Sequence, residues 1–273
     1  MTDTTTVRID EIEPGIAAVV LDRPDRLNAM SRELIDDLHR ALDLIAERTD
    51  LRAVVLTGAG RGFCAGLDLV DQSPVGLHSE AAPAGRAQRG MALQQRIASL
   101  VPKLRGLRIP VIAAVNGPAA GGGLALVLGS DIRIGAASSR FGVAFVRIGL
   151  SGCDIGVSWL LPRLIGAARA HELMLTGRVI DASEAERIGL ITRVVPDGTV
   201  VDEAVQIARS IARNSPFGIW MTKEAMWSSL EIPSQRAAID LENRQQILSS
   251  FTEDMTEAIG AFLDKREPDY RNR

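Results

Sequence analysis

The sequence predicts an α/β fold, and three observations support this prediction. Short apolar runs rich in β-branched residues alternate with helical patterns over the first part of the chain. Helical patterns alone follow after about residue 195. The chain has 273 residues, 46% of them hydrophobic, which is enough for a large core. We therefore divide it into an α/β core at residues 1–198 and a helical C-terminal region at residues 199–273.

The first elements are a predicted hairpin, a helix and a buried strand. Residues 7–12 and 16–21 are rich in β-branched side chains and flank a Pro-Gly turn, a pattern typical of a hairpin. Ser31 can N-cap a helix whose leucines and isoleucine recur on one face. Residues 53–57 are continuously apolar up to a final threonine, which predicts a buried strand that leads into a glycine-rich loop.

Further along, an irregular segment precedes a helix and two more strands. Residues 71–90 contain Pro, Gly, Ser and Ala without periodicity, which predicts a mobile loop. Residues 91–104 have a helical pattern, and residues 111–115 and 131–135 are predicted strands. Asp181 and Glu184 then have the spacing of a capping box. Four C-terminal helices are predicted at residues 201–213, 216–230, 234–250 and 253–266.

Charge and residue counts exclude several classes of function. A net charge of −3 provides no overall basic surface for a nucleic-acid backbone, so no nucleic-acid partner is expected. Three His and two Cys are too few for a metal cage made of those ligands alone. Cys64 and Cys153 form no C-x-x-C motif, which favours a reducing compartment such as the cytoplasm. The polar N-terminus lacks the apolar segment of a secretion signal.

Two glycine-containing segments are candidates for a functional site. In the first, residues 63–69, small residues allow the backbone to approach a ligand closely, and Asp68 can cap a following helical turn. The second, residues 109–130, is uncharged, but its Asn-Gly-Pro turn at 116–118 favours strand, turn and buried helix over a membrane span. Its glycine run at 121–123 opens a helix whose free N–H groups suit a developing oxyanion. Neither segment alone specifies a chemistry, because turns and close helix–strand packing also use glycine.

Together, at this separation, the two segments resemble the crotonase superfamily, also called the enoyl-CoA hydratase/isomerase family. Further matching segments lie at residues 21–30, 173–177, 185–190 and 261–266. The resemblance implies a crotonase-like spiral of ββα units with a C-terminal helical trimerisation region, commonly a homotrimer or a dimer of trimers. It also implies an acyl-CoA thioester as substrate, a place in fatty acid metabolism, and no cofactor apart from the coenzyme A of the substrate.

The resemblance also implies roles for individual positions. The N–H groups of Leu67 and Gly122 would form an oxyanion hole around the thioester carbonyl, where each donor is typically worth ~3 kcal/mol. The positions that match the family's coenzyme A pocket are Arg26, Leu27, Ala65, Asp68 and Leu69, together with Phe262 and Lys265, which often reach coenzyme A from a neighbouring subunit.

Two positions depart from the family's hydratases, which use two glutamates to activate water and deliver its proton. The position three residues after Gly122 is Ala125, and the second glutamate position falls at Phe145. Because neither side chain can move a proton, two-glutamate hydration is not expected.

Asp154 is the one carboxylate in residues 149–166. This segment resembles the one in which some dienoyl-CoA isomerases and chlorobenzoyl-CoA-type dehalogenases place a catalytic aspartate. A lone carboxylate can shuttle a proton between carbons of a dienolate, or attack as a nucleophile. Alternatively, Asp154 is the N-cap of a helix at residues 157–161, and both interpretations can hold together. We interpret Cys153 as a small core residue and Arg147 as a surface or interface residue.

The leading hypothesis is therefore an acyl-CoA enzyme that holds an enolate with Leu67 and Gly122, with Asp154 as acid/base and isomerisation favoured over water addition. The loss of both glutamates motivates a second hypothesis, a coenzyme A-binding pseudoenzyme without catalysis. An Asp154-dependent thioester dehalogenase or hydrolase is a further alternative.

Overall fold

The strands that the structure describes form a six-stranded sheet and a three-stranded sheet. A computed structural model describes residues 6–70 and 85–273. The large sheet has the order β1-β2-β3-β4-β6-β9 and the small sheet the order β5-β7-β8, where the strands are β1 (Val7–Glu13), β2 (Ile16–Leu21), β3 (Ala53–Gly58), β4 (Val111–Val115), β5 (Pro118–Ala120), β6 (Ile132–Ala136), β7 (Arg140–Gly142), β8 (Val179–Asp181) and β9 (Val194–Val195).

Helices alternate with these strands and then continue alone, which confirms the predicted α/β class. Ser31 caps the first helix as predicted, since its Oγ accepts the Leu34 N–H at 3.1 Å. The α-helices of the described residues are α1 (Arg32–Glu47), α2 (Arg86–Ala98), α3 (Leu100–Arg105), α4 (Gly122–Gly129), α5 (Val157–Ile165), α6 (Ala167–Thr176), α7 (Ala182–Arg187), α8 (Val200–Ala212), α9 (Pro216–Ser229), α10 (Gln235–Ser250) and α11 (Glu253–Asp264).

The centre of the large sheet is buried on both faces. β1 and β2 form the predicted antiparallel hairpin, and β2, β3, β4, β6 and β9 run parallel to one another. Every residue of β2, β3 and β4 is buried, because the core that contains α1 covers one face and α8 covers the other. Strands buried on both faces appear as continuous apolar runs in a sequence, so these three could be predicted. Their parallel direction places the ends of β3 and β4 at the same edge of the sheet.

The helical C-terminal region starts on the α/β core. α8 packs on the sheet through Val200, Ala204 and Ala208. α9 is joined to the core by an ion pair of 2.8 Å between Lys223 Nζ and Asp131 Oδ2, whose side chains are both almost wholly buried. Exposed apolar side chains then concentrate on α10, α11 and their connection: Ile239, Ile247, Leu248, Phe251, Met255, Ile259, Phe262 and Leu263.

Two predictions for residues 71–104 need correction. The predicted helix at 91–104 is two helices, because α2 ends at Ala98 and α3 begins at Leu100. Pro102 explains the break, since it has no N–H for the carbonyl four residues earlier and its ring would clash with that carbonyl. Residues 86–90 belong to α2 rather than to a loop, and the rest of the predicted loop, residues 71–84, lies outside the described residues.

The predicted capping box at α7 is half formed. Asp181 Oδ1 accepts the Glu184 N–H at 2.8 Å, as an N-cap does. The Glu184 carboxylate pairs with Arg178 at 2.8 Å, so its oxygens are engaged with that guanidinium. Among the helices described here, none is both long enough and apolar enough to cross a membrane.

Candidate active site

The loops that follow β3 and β4 lie side by side at the edge of the large sheet. Cys64 and Ala119 form a parallel bridge, and the Ala120 N–H donates to the Cys64 carbonyl at 3.0 Å. The Asn116 side chain donates to the carbonyl oxygens of Gly58 and Gly60 at 2.8 and 2.9 Å. The two glycine-containing segments predicted from the sequence are therefore brought together.

Gly66 permits the closest approach between these loops. Its φ of +95° lies in the region that favours glycine, and a Cβ there would be 2.8 Å from the Ala120 carbonyl oxygen and 3.6 Å from the Gly122 nitrogen. The next residue, Leu67, pairs with Met30, whose N–H donates to the Gly66 carbonyl at 2.7 Å. The Gly66–Leu67 peptide is thus fixed next to the start of α4.

Two backbone N–H groups at this junction have no acceptor in the described part of the chain. Among residues 6–70 and 85–273, neither the Leu67 N–H nor the Gly122 N–H donates a hydrogen bond to the protein. Gly122 is buried and is the first residue of α4, where helical N–H groups have no partner within the helix and the helix dipole is positive. Buried donors of this kind are rare, and at a helix N-terminus they suit an anion or a developing oxyanion.

The side chains that surround Gly122 are apolar. A Cβ on Gly122 would lie 2.6 Å from Met30 Sδ and 3.6 Å from Ile155 Cδ1, and a Cβ on Gly121 would lie 3.4 Å from the Phe145 ring. Ala125, one turn into α4, is fully buried. Ala125 and Phe145 therefore lie at or near this junction, and neither can transfer a proton.

Asp154 lies beside this apolar cluster, one residue before Ile155. Its Oδ1 accepts the Ile155 N–H at 2.8 Å and the Gln94 side-chain amide at 2.5 Å. The interpretation of Asp154 as the N-cap of α5 is wrong: that position is Gly156, in a left-handed conformation, and the Val157 N–H donates to the Asp154 backbone carbonyl. The Asp154 carboxylate is therefore not used to start the helix.

Five positions in the N-terminal half are predicted to contact coenzyme A, and the two segments that hold them contact each other. We call this group the rim: Arg26, Leu27, Ala65, Asp68 and Leu69. The Ala65 N–H donates to the Leu27 carbonyl at 3.0 Å, and the neighbouring Arg26 is exposed. Leu69 is 52% exposed. Asp68 differs, since it is buried and its Oδ2 accepts from Arg23 at 3.0 Å.

Asp68 Oδ1 accepts the Val70 N–H at 3.1 Å, which closes a side-chain turn over two residues. The helical turn that Asp68 is predicted to cap continues into residues 71–84, outside the described residues. The other carboxylate oxygen of Asp68 pairs with Arg23, whose guanidinium also donates to the Ala29 carbonyl. The carboxylate thus holds the residue 23–30 segment against the residue 64–70 loop.

Phe262 and Lys265 are not brought to this rim within one chain. Phe262 is 83% exposed, and Lys265 ends α11 in a left-handed conformation. The polar contacts of α11 run to the C-terminal residues that follow it, as between Glu257 and Arg266 at 2.5 Å. In the parts of the chain that are described, no hydrogen bond or ion pair joins α11 to residues 26–28 or 64–70.

Sequence reasoning missed Gln94 and Ile155. Gln94 is 60 residues from Asp154 along the chain, so no local pattern could connect them. Ile155 has a φ of +48°, which is unusual for a β-branched residue and could not be expected from its type. Cys153 is exposed rather than in the core, whereas Arg147 is exposed as predicted. No group of three or more His, Cys, Asp or Glu that could hold a metal occurs within the described ranges.

Comparisons with known proteins give a consistent family assignment. The family model described as enoyl-CoA hydratase/isomerase matches residues 11–273. A probable enoyl-CoA hydratase of Mycobacterium bovis is 40% identical over 96% of this chain and 91% of that protein. A 1,2-epoxyphenylacetyl-CoA isomerase of Escherichia coli is 40% identical over 97% of this chain and 98% of its own. The crystal structure of a probable enoyl-CoA hydratase/isomerase from Mycobacterium abscessus superimposes with a TM-score of 0.89 at 37% identity, covering 98% of this chain and 100% of that one. The predicted crotonase-like fold is thereby confirmed.

Proposed function

The chain belongs to the enoyl-CoA hydratase/isomerase family, and from that premise we propose that it binds an acyl-CoA thioester with the carbonyl oxygen between the Leu67 and Gly122 N–H groups. The observation that carries this proposal is that these two N–H groups, one at the first residue of α4 and one in the neighbouring loop, have no acceptor among residues 6–70 and 85–273. Negative charge reaches the thioester oxygen as the enolate forms, so donors fixed there stabilise the transition state more than the ground state. Each donor typically contributes ~3 kcal/mol in such a site.

Asp154 is the group proposed to move the proton. In its ionised form it removes a proton from one carbon of the acyl chain, which gives an enolate or dienolate whose charge lies on the thioester oxygen. It then returns the proton to another carbon of the same chain, so a double bond shifts and no atom is gained or lost. Two contacts support this role: the Ile155 N–H donates to Asp154 Oδ1 at 2.8 Å, and Ile155 Cδ1 would lie 3.6 Å from a Cβ on Gly122.

Isomerisation fits this site better than hydration. Water addition in the family's hydratases uses two glutamates, and the corresponding positions are occupied by Ala125 and Phe145, both buried apolar residues. A single carboxylate suffices for a proton transfer between carbons. Of the similar proteins, one is named as an isomerase of an epoxide-bearing acyl-CoA and another as a probable enoyl-CoA hydratase, so the preference for isomerisation rests on the residues of the site.

The remaining parts of the proposal concern coenzyme A and assembly. Arg26, Leu27, Ala65, Asp68 and Leu69 form the rim to which coenzyme A binds, and it arrives with the substrate rather than as a separate cofactor. The exposed apolar side chains of α10 and α11 support a homotrimer or a dimer of trimers. In such an assembly, Phe262 and Lys265 reach the coenzyme A of a neighbouring subunit, in a protein of the cytoplasm.

Turnover of a thioester panel tests this function. Wild type and Asp154→Asn are incubated with 2-enoyl-, 3-enoyl- and dienoyl-CoA, and products are separated by chromatography. We expect double-bond shifts by wild type and a loss of roughly 10²- to 10⁴-fold in kcat for the variant, since that is the usual contribution of a general acid/base. The amide Oδ1 can still accept from Gln94 and Ile155, so the fold is retained.

Other outcomes identify the rival functions. Unchanged turnover of Asp154→Asn eliminates Asp154 as the catalyst. Release of free thiol from the thioesters would indicate hydrolysis. Tight acyl-CoA binding by calorimetry, without any product from the panel, would indicate a pseudoenzyme.

A further inference from the structure

Helix α2 connects α1 to the segment that contains Asp154. On one side, Arg96 pairs with Asp36 of α1 at 2.9 Å, and the Arg96 carbonyl lies 2.9 Å from His39 Nε2. Gln94 precedes Arg96 by two residues, which is about 200° around an α-helix. The Gln94 side chain therefore points away from the Arg96 contact, and its amide donates to Asp154 Oδ1.

The two oxygens of Asp154 have different surroundings. Oδ1 accepts two hydrogen bonds, from the Gln94 amide at 2.5 Å and the Ile155 N–H at 2.8 Å. Oδ2 accepts no hydrogen bond from residues 6–70 or 85–273. Two donors that approach one oxygen from different elements fix the plane of the carboxyl group, and they leave the second oxygen available for a proton.

The Ile155 backbone supports this arrangement at a cost in conformational energy. Its φ of +48° is a left-handed conformation that β-branched residues rarely adopt. The buried Ile155 side chain lies near Gly122, so packing holds the residue in this conformation. Strained backbone held by packing is typical of functional sites, and here it directs the Ile155 N–H at Asp154.

We propose that Gln94 is a positioning residue: it fixes Asp154 Oδ1, so that Oδ2 is the oxygen that takes and returns the substrate proton. This inference rests on the proposed function of Asp154 and adds a residue that does not itself touch the substrate. Without Gln94, the Ile155 N–H is the only donor left among the described residues, and the carboxyl group can rotate about its bond to Cβ. Such a rotation reduces the fraction of time that Asp154 Oδ2 spends in a geometry in which it can take the substrate proton.

If Gln94 had a purely structural role, Gln94→Ala would lower the free energy of unfolding together with kcat, whereas a positioning residue affects kcat alone. Gln94 is exposed, and an exposed hydrogen bond contributes little to the free energy of unfolding because water replaces it. Removing the Gln94 amide should therefore leave stability nearly unchanged. An effect on kcat without an effect on stability is the sign of positioning.

The test compares Gln94→Ala with a matched control, Gln95→Ala. Gln95 is the next residue of α2, is also exposed, and makes no side-chain hydrogen bond that the structure shows. On the best thioester of the panel, we expect Gln94→Ala to lower kcat roughly ten- to hundredfold with KM within about twofold. Gln95→Ala should retain wild-type kcat and KM.

A double variant shows whether Gln94 acts through Asp154. If it does, Gln94→Ala should have no further effect on kcat in the Asp154→Asn background. Wild-type kcat for Gln94→Ala, or a full loss added on top of Asp154→Asn, would overturn the inference. If Asp154→Asn itself turns over like wild type, the proposed function has failed, so the two failures are distinguishable.

Discussion

The Cα of Gly123 lies so close to the backbone of Cys64 that a Cβ on Gly123 would be 2.1 Å from the Cys64 carbonyl oxygen. That oxygen accepts the Ala120 N–H and is part of the junction between the two site loops, so it cannot move without breaking the junction. At Gly122, in contrast, the nearest atom to a Cβ is Met30 Sδ, the far part of a flexible side chain. Adjacent glycines therefore have different roles, one in packing and one in the site.

Alanine at these two positions should give opposite results. Gly123→Ala is expected to reduce the free energy of unfolding by about 3 kcal/mol or to prevent folding, because overpacking against backbone cannot relax. Gly122→Ala should fold, but with Met30 displaced we expect kcat to fall at least about tenfold. Urea unfolding measures the stability of each variant, and turnover of the acyl-CoA substrate measures its kcat.

Gly90→Ala is the control for the glycine pair. Gly90 lies in α2 and a Cβ there would meet no described residue within 4 Å, so alanine should add about 0.5–1 kcal/mol of stability without a change in turnover. Wild-type stability of Gly123→Ala would contradict the packing argument.

The Lys223–Asp131 ion pair should stabilise the position of α9. Burial lowers the pKa of Lys223 although Asp131 opposes this effect, and Asp131 also accepts from Trp227 Nε1 at 2.6 Å. Lys223→Met leaves a buried carboxylate without its cation, which is expected to cost about 3–5 kcal/mol in the free energy of unfolding.

Two further variants check this assignment by urea unfolding. The double variant Lys223→Met with Asp131→Asn should lose less than Lys223→Met alone, because no buried charge is left unpaired. Arg209→Met breaks a partly exposed pair with Glu13 and should cost much less than Lys223→Met. Equal losses for the Lys223 and Arg209 variants would show that burial is not the deciding factor.

The two cysteines should differ in reactivity. Burial raises the pKa of the Cys64 thiol to about 12, and its side chain has no access to solvent, whereas Cys153 is exposed. A disulfide reagent at pH 8 should modify one thiol per native chain and two in denaturant, and Cys153→Ser should reduce the native value to zero. Fast modification of two thiols in the native protein would contradict the buried position of Cys64.

The parts of the fold that could be predicted are those with a strong local signal. β2, β3 and β4 are buried on both faces, so their sequences are apolar runs, with Thr57 near the end of β3 as the one polar residue. β5, β7 and β8 have three residues each, which is too short for a periodic pattern, and they were missed. Pro102 indicates the break before α3, but the apolar residues around it continue the helical pattern, so one helix was predicted instead of two.

The site divides in the same way. The glycine run predicted where α4 begins, because two backbone segments that approach each other closely require glycine, and glycine is visible in the sequence. The sequence around Asp154 does not indicate its two hydrogen-bond donors, which are a glutamine from a distant helix and an isoleucine in a left-handed conformation. Contacts of that kind depend on how helices pack, which a short sequence window does not contain.

The stability of the α1–α2 contact should depend on pH through His39. Burial lowers the pKa of His39, and the positive charges of Arg96 and Lys103 act in the same direction, while the hydrogen bond to the Arg96 carbonyl opposes them. In the unfolded chain its pKa is about 6.5, so the unfolded state binds the proton more tightly. The free energy of unfolding should therefore be highest above pH 6.5 and fall as the pH drops from there toward the folded-state pKa.

Wild type and His39→Gln, whose amide can still donate to the Arg96 carbonyl, are compared by urea unfolding at pH 8 and 5.5. We expect the variant to lose less stability between the two values than wild type, with His171→Gln, at an exposed position, behaving like wild type. Equal losses for wild type and His39→Gln would assign the pH dependence to other groups.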